Sequence, residues 1–237
     1  MVAESFTFDE EKMVVGMHDR GILVFPEGGL KLKSGRISPY YHNMRGMLSL
    51  NQRLDDSGAM PFGRQREFIR ESALGYATRF DEIKAPYAHV FGKAQAGTAP
   101  LAVASFVAGK SYLWERVPEP KDYGMKQRIE GDYDYGDFIH LGDDNVTDGQ
   151  SKIDGAAVLY EAGLQPVSLT VMFDREEGAQ ERLTSLGFEM NAVTSLSRVV
   201  PILRANGRIS EAHVAKVIEY HEELIANGIT STFELSV

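Results

Sequence analysis

The sequence contains no cysteine, only one tryptophan and no apolar run long enough to cross a bilayer. The lack of cysteine excludes disulfide bonds, thiolate catalysis and cysteine-ligated zinc. Clusters of lysine and arginine are also missing, and the chain carries a formal net charge of −9. We therefore expect neither a nucleic-acid nor a membrane partner. The acidic first residues do not resemble a secretory signal, so we expect a cytoplasmic protein.

Patterns of strands and helices alternate after Pro86. The apolar segments predict strands over 87–91, 111–114, 138–141, 167–173 and 188–193. Between and after them, helices are expected over 98–108 and 151–162, from Ser197 to Gly207, and from Ser210 onward. This alternation predicts an α/β fold with a mainly parallel central sheet flanked by helices. Ligands of such sheets bind beyond the carboxyl ends of the strands.

The segment 141–151, LGDDNVTDGQS, joins an expected strand to an expected helix. Backbone N–H groups in a tight turn at a helix N-terminus form a cradle for an anion, and Gly149 permits positive φ or close approach of a ligand. Asp143 and Asp144 would repel a phosphate, but they suit ribose hydroxyls or a hydrated Mg²⁺. The segment therefore predicts a phosphorylated-sugar site. An ordinary strand, turn and capped helix would produce a similar pattern.

The full string resembles the phosphoribosyl pyrophosphate (PRPP) signature of type I phosphoribosyltransferases. That signature has an apolar strand, two acids, two variable residues and then Thr-x-Gly-x-Ser/Thr. Asn145 departs from it mildly, because an aliphatic residue is usual there. The resemblance implies the type I phosphoribosyltransferase fold. It also implies that PRPP is contacted by Asp143, Asp144, Asn145, Val146, Thr147, Asp148, Gly149, Gln150 and Ser151.

Three further segments resemble orotate phosphoribosyltransferase in the expected order. They are LKSGRISPYYHN at 32–43, FGKAQAGTAPL at 91–101 and FDREEG at 173–178. The resemblance implies that Lys33 and Gln95 also contact PRPP. It further implies that the base is bound by Tyr41, His42, Thr147 and Arg175, with the arginine reaching the carboxylate of orotate.

Two loops that would surround the pyrophosphate depart from the family. Cations are missing at Ala96, Val117 and Pro118, and Tyr123 stands where the family has histidine. Lys121 keeps the register of a family lysine, and Arg116 lies one residue away from a family cation. Because a departing pyrophosphate needs nearby positive charge, these changes bear on the rate of turnover.

Taken together, the resemblance implies an enzyme that transfers the phosphoribosyl group from PRPP to orotate in pyrimidine nucleotide synthesis. Lys121, Asp143 and Asp144 are the expected catalytic residues, and Mg²⁺ is expected to be held through PRPP and water rather than directly by the protein. A single domain is expected over 1–237, with a hood over about 20–50 and a core over about 86–208. The family also implies a homodimer in which the loop 115–136 reaches the partner's site. Two alternatives stay open, a different base and a weakly active or inactive regulatory protein that binds PRPP or a nucleotide.

Overall fold

The computed structural model of the chain describes residues 7–32, 35–45, 62–93, 97–116 and 128–235, with only the backbone given for 62–67. The helices in these ranges are α1 (Glu10–Asp19), α2 (Phe62–Glu82), α3 (Thr98–Val107), α4 (Gln150–Glu161), α5 (Ala179–Ser185), α6 (Leu196–Ala205) and α7 (Glu211–Ala226). The strands are β1 (Leu23–Val24), β2 (Leu30–Lys31), β3 (Ile37–Ser38), β4 (Tyr41–His42), β5 (His89–Gly92), β6 (Ser111–Glu115), β7 (Ile129–Glu130), β8 (Phe138–Val146), β9 (Gln165–Asp174) and β10 (Glu189–Ser195).

Six strands form the central sheet, in the order β10-β9-β8-β5-β6-β7. Every neighbouring pair is parallel except β6 and β7, which are antiparallel. The prediction of a mainly parallel α/β sheet is therefore confirmed. Its two central strands, β8 and β9, are the longest, and their carboxyl ends meet where Val146 pairs with Asp174.

Two apolar clusters cover the two faces of this sheet. Neighbouring residues of one strand contribute to different clusters, as Val90 and Phe91 do in β5. One cluster contains apolar residues of α1, α2, α3, α6 and α7, and the other contains residues of α4 and α5. Burial on both faces explains why the strand β9 is apolar almost throughout its length. None of the described helices is both long and apolar enough to cross a membrane.

The N-terminal strands form two small antiparallel pairs, apart from the central sheet. The strands β1 and β2 are neighbours along the chain but do not pair with each other. Instead, β1 pairs with β4, and β2 pairs with β3. Gly29 has a φ of +67°, which places the chain reversal directly before β2. The pairing brings Ser38, Tyr41 and His42 into the same small region of the molecule.

Two predicted boundaries were wrong, and tertiary contacts explain both. The strand expected to end at Leu141 continues to Val146, because β8 keeps pairing with the longer strand β9. The helix expected from Ser197 begins at Leu196, with Ser195 as its N-cap residue. The amide and hydroxyl of Ser197 instead donate to the Glu176 carboxylate, at 2.7 and 2.8 Å. The Glu176 side chain, which comes from a different loop, therefore accepts a hydrogen bond from a backbone amide in the first turn of α6.

Candidate active site

The two adjacent acids lie at the carboxyl end of β8, where the sequence placed them, but their surroundings differ. Asp143 Oδ2 is 2.5 Å from Lys152 Nζ, and the Tyr76 hydroxyl donates to the Asp143 carbonyl at 2.7 Å. Burial raises the pKa of the Asp143 carboxyl, and the Lys152 ammonium opposes that rise. Asp144 accepts a hydrogen bond from the Asn145 amide and has no cation beside it among the described residues. Asp144 is therefore the acid whose charge is more available to a ligand.

Lys152 is a buried residue of this site that the sequence analysis missed. Its side chain is 6% exposed and reaches back from the first turn of α4 toward the sheet. The inward face of α4 contains Lys152, Ala156 and Leu159, a helical spacing of four and three residues. The sequence did contain a signal for this residue, namely a lysine at an inward position of an otherwise apolar helical stripe. It indicates that a buried acid lies nearby, since a buried ammonium needs a partner.

The turn before α4 has the geometry expected of an anion cradle. Gly149 has a φ of +78° and is the N-cap residue of the helix. A Cβ atom at this position would lie 3.1 Å from Leu183 Cγ, so both the conformation and the space favour glycine. In the described part of the chain, the amides of Asp148, Gly149 and Ser151 have no protein acceptor. These N–H groups, at the positive end of the helix dipole, are available to an anionic ligand.

Arg182 of α5 braces the same turn, which the sequence did not indicate. Its guanidinium donates to the Asp148 carbonyl at 3.2 Å and also bonds to the Gln150 side-chain oxygen. The Gln150 amide group is used as well, because it donates to Asp154 Oδ1 at 2.8 Å. The Gln150 side chain is therefore a structural part of the turn. A ligand in the cradle would meet mainly backbone groups.

Arg175 begins the segment directly after β9, and its amide donates to the Val146 carbonyl at 3.2 Å. The expected base-binding arginine is thus adjacent to the expected phosphate-binding turn. Its side chain is only 4% exposed. Nε donates to Glu177 Oε1 at 2.8 Å, and Nη2 donates to Ser38 Oγ at 3.1 Å. The guanidinium carbon also lies 4.4 Å from the centroid of the Tyr40 ring.

Tyr41 and His42 are neighbours in β4, and the structure places them differently. The Tyr41 side chain belongs to the exposed surface, whereas His42 is 5% exposed and its ring centroid is 5.1 Å from that of Phe173. Burial, together with the nearby Arg175 charge, lowers the pKa of His42 to about 3. Both ring nitrogens of this neutral histidine lack a partner among the described residues. Of Tyr41 and His42, it is therefore His42 whose ring is close enough to feel the Arg175 charge.

Several expected site residues lie outside the described residues. They are Lys33, Gln95 and Lys121, together with the altered loop positions Ala96, Val117, Pro118 and Tyr123. Arg116 is described, and it forms an ion pair with Glu130 while its amide donates to the Arg128 carbonyl. Arg116 therefore continues the pairing of β6 with β7. Its charge already has a partner within the chain.

Comparison with known proteins supports the expected family, although no protein-family model matches the chain. The chain is 30% identical over 212 residues to uridine 5′-monophosphate synthase of Bos taurus, a match that covers 89% of this chain and 40% of that protein. Its structure is similar to that of Leishmania donovani UMP synthase, with a TM-score of 0.72 and 25% identity. That likeness covers 89% of this chain and 42% of the other, and it confirms the expected fold. The chain thus spans less than half the length of these two relatives.

A shorter relative decides the family. The chain is 34% identical over 129 residues to orotate phosphoribosyltransferase of Natronomonas pharaonis. The match covers 54% of this chain and 71% of that protein. The residues that carry the resemblance in the sequence, the Asp-Asp turn and the Asp-Arg segment, lie side by side at the ends of β8 and β9. On these grounds the chain belongs to the orotate phosphoribosyltransferase family.

Proposed function

We propose that this chain transfers the phosphoribosyl group of PRPP to orotate, forming orotidine monophosphate and releasing pyrophosphate. One observation carries the proposal. The anion cradle at 147–151 and the buried Arg175 follow neighbouring parallel strands, and their backbones are joined by the 3.2 Å bond from Arg175 to Val146. A sugar phosphate in the cradle would therefore place its anomeric carbon toward the arginine. A carboxylated base beside that arginine would be within reach of the same carbon.

Each part of the site would have a separate task. The amides of Asp148, Gly149 and Ser151 would bind the 5-phosphate, with the Thr147 hydroxyl beside them. Asp144, and Asp143 oriented by Lys152, would accept hydrogen bonds from the ribose hydroxyls. The guanidinium would bind the base carboxylate, and His42 would lie near the ring.

The reaction would be a displacement at the anomeric carbon. A bond forms from the nitrogen of the base to that carbon while the bond from carbon to the pyrophosphate oxygen breaks, through an oxocarbenium-like transition state. Negative charge grows on the departing pyrophosphate, and Lys121 is the residue we assign to stabilise it. Closure of the loop between β6 and β7, which contains Lys121, would exclude water and so prevent hydrolysis of PRPP.

The site fits a magnesium ion that arrives with its substrate. Asp144 is a carboxylate without a neighbouring cation among the described residues, and no three His, Asp or Glu side chains converge there as a ready-made metal site. Mg²⁺ usually combines one or two carboxylates with water and substrate phosphates. When bound, it would supply positive charge to the pyrophosphate, and Asp144 is the residue that would approach its water shell.

The direct test is pyrophosphate release from PRPP with a panel of bases. We expect release that depends on orotate, with little from uracil, adenine or hypoxanthine. An Asp143→Asn/Asp144→Asn variant serves as the inactive control. Equal release with every base would contradict orotate as the substrate, and no release with any base would contradict the transferase activity.

The altered loops favour a second candidate function. Ala96, Val117 and Pro118 remove positive charge from the pyrophosphate end, and the Arg116 charge is paired with Glu130. These features fit a protein that binds PRPP or a nucleotide and turns it over slowly or not at all. Tight binding of orotidine monophosphate without any pyrophosphate release would favour this candidate over the enzyme.

We further propose a single-domain enzyme, with a hood over about 20–50, that acts in the cytoplasm as a homodimer. In such a dimer, the loop between β6 and β7 of one chain, which is shorter than the expected 115–136, would serve the site of the other. The test mixes a Lys121→Ala chain with an Asp143→Ala/Asp144→Ala chain, each of them inactive alone. Subunit exchange should restore one intact site per mixed dimer. No recovery after demonstrated exchange would mean that the loop serves its own chain. Separation of cells into fractions tests whether the protein is in the cytoplasm.

A further inference from the structure

Glu177 is a fully buried acid beside Arg175, and the proposed reaction gives it no task. Its side chain is 0% exposed, and both of its oxygens are bound by arginines. Oε1 accepts from Arg175, and Oε2 accepts from Arg36 Nη2 at 2.9 Å. The hydroxyls of Tyr40 and Tyr220 also donate to this carboxylate, at 3.2 and 3.4 Å. Four side chains therefore donate to this carboxylate, and both of its oxygens are occupied.

This arrangement limits what Arg175 can offer to a ligand. Its Nε and Nη2 atoms are already committed to Glu177 and Ser38. Of its three nitrogens, Nη1 is the one that contacts neither Glu177 nor Ser38. A base carboxylate would therefore reach one nitrogen of the guanidinium, because Glu177 takes the two-nitrogen edge that binds carboxylates best. The internal acid occupies the place that a ligand carboxylate would otherwise fill.

Charge leads to the same conclusion. Arg36 and Arg175 carry two positive charges and Glu177 one negative charge, so the three side chains together have a net charge of +1. Arg36 is 29% exposed and is the more accessible of the two cations. A ligand carboxylate would gain attraction from both arginines and lose part of it to repulsion by the buried acid.

We propose that Glu177 is a specificity-determining residue, an internal counter-anion that competes with the base carboxylate for Arg175. Together with Arg36, it sets how strongly the site prefers a carboxylated pyrimidine over the same pyrimidine without the carboxylate. The inference rests on the proposed function, because it takes Arg175 as the partner of the base.

Calorimetric binding of two nucleotides tests it without requiring turnover. Orotidine monophosphate and uridine monophosphate differ only in the carboxylate, so their affinity ratio isolates the effect of that group. In Glu177→Gln the net charge becomes +2, and we expect the ratio to rise about tenfold, while uridine monophosphate binds as before. In Arg36→Gln the net charge becomes zero, and the ratio should fall about tenfold. The double variant returns the net charge to +1, and its ratio should be close to that of the wild type.

Glu176→Gln is the matched control. It removes the same charge one residue away, from a carboxylate that accepts hydrogen bonds from Ser197 rather than from an arginine. Its ratio should stay unchanged. If Glu177→Gln does not fold, Arg36→Gln and the double variant still test the proposal. Competition predicts that the affinity ratio falls in Arg36→Gln and that adding Glu177→Gln restores it.

The possible outcomes separate the two ideas. If both nucleotides bind but the ratio is the same in every variant, Glu177 is purely structural and the inference is overturned. A fall in the ratio in Glu177→Gln would overturn it too, since the acid would then be supporting Arg175 instead of competing. If neither nucleotide binds to the wild type, the proposed function fails first and takes this inference with it.

Discussion

The two ends of the candidate site are built in opposite ways. The phosphate end is one continuous segment, residues 141–151, in which backbone amides at the start of α4 would bind the phosphate and the carboxylates of Asp143 and Asp144 would bind the ribose. The base end is assembled from Ser38, Arg175, Glu177 and Tyr220, which come from three distant parts of the chain. Its ligand groups are buried charges with internal partners.

The difference shows how the two ends depend on the rest of the fold. A backbone cradle needs only the correct local conformation, which one glycine with positive φ provides. A buried guanidinium needs a partner even when no ligand is present, because an unpaired buried charge is strongly destabilising. Binding of the base is therefore linked to folding, whereas binding of the phosphate group depends on a single turn. Four substitutions test this contrast.

Gly149→Val should have the largest effect, abolishing PRPP binding with a loss of more than about a hundredfold in affinity. The added side chain meets a φ of +78° and the nearby Leu183, so the turn cannot keep its shape. Isothermal titration with PRPP measures the loss. Gly109→Val is the matched control, because Gly109 also has a positive φ, with no atom within 4 Å of an added Cβ. Retained affinity in Gly149→Val would place the phosphate elsewhere.

Lys152→Met should destabilise the fold by about 3 kcal/mol, because it leaves the partly buried Asp143 carboxylate without its cation. Denaturation in urea at pH 7 measures the free energy of unfolding. The double variant with Asp143→Asn removes both charges and should recover most of the loss. If the single variant is as stable as the wild type, the ion pair between Lys152 and Asp143 does not contribute to the stability of the fold in solution.

Arg175→Ala should weaken orotate binding about ten- to a hundredfold, because one charge-assisted hydrogen-bonded contact contributes roughly 1.5–3 kcal/mol. PRPP binding should remain unchanged. Arg182→Ala is the counterpart at the other end. It removes the brace on Asp148 and should weaken PRPP binding slightly while sparing orotate. An equal loss of both ligands in Arg175→Ala would show that this arginine supports the whole site.

His42→Phe should change the response of stability to acid, and at pH 7 it should have the smallest of the four effects. An unfolded chain binds a proton at His42 near pH 6.5, but the folded chain does so only near pH 3. The free energy of unfolding of the wild type therefore falls as pH drops below 6.5, by up to about 1.4 kcal/mol per pH unit from this group. Phenylalanine removes that contribution, and no hydrogen bond is lost with it.

Urea denaturation at several values between pH 7 and pH 4 checks this prediction. His140 and His221 also have lowered pKa values, about 3 and about 4, and they remain in both proteins. The difference between wild type and variant isolates His42. Parallel pH profiles would mean that the His42 ring is accessible to protons in the folded state.

Much of the phosphate end could be read from the sequence because its determinants are neighbours along the chain. The carboxyl end of β8, the two acids, the glycine and the start of α4 occupy eleven consecutive residues. What the sequence did not indicate there is the identity of the partners, Lys152 for Asp143 and Arg182 for Asp148. The sequence alone does not distinguish the two acids. In the structure they differ, because Lys152 pairs with Asp143 and balances its charge.

At the base end, the sequence indicated the residue types but not their state. The resemblance selected Arg175 and His42, and the structure places both beside the carboxyl end of β9. Nothing in the segment FDREEG shows that the second glutamate turns inward to hold the arginine. That contact depends on Ser38 and Arg36 from the N-terminal strands and on Tyr220 from α7.

By itself, the sequence determined the alternating α/β pattern, the anion-binding turn with its glycine, the family and the loss of positive charge in two loops. These depend on local backbone preference, on apolar periodicity and on the presence or absence of a residue type. Only the tertiary structure decided which acids are neutralised, where β8 and α6 begin or end, and that Arg175 is bound to Glu177. The physical reason is that the charge state of a buried group depends on partners brought together by folding, 137 positions away in the case of Ser38 and Arg175.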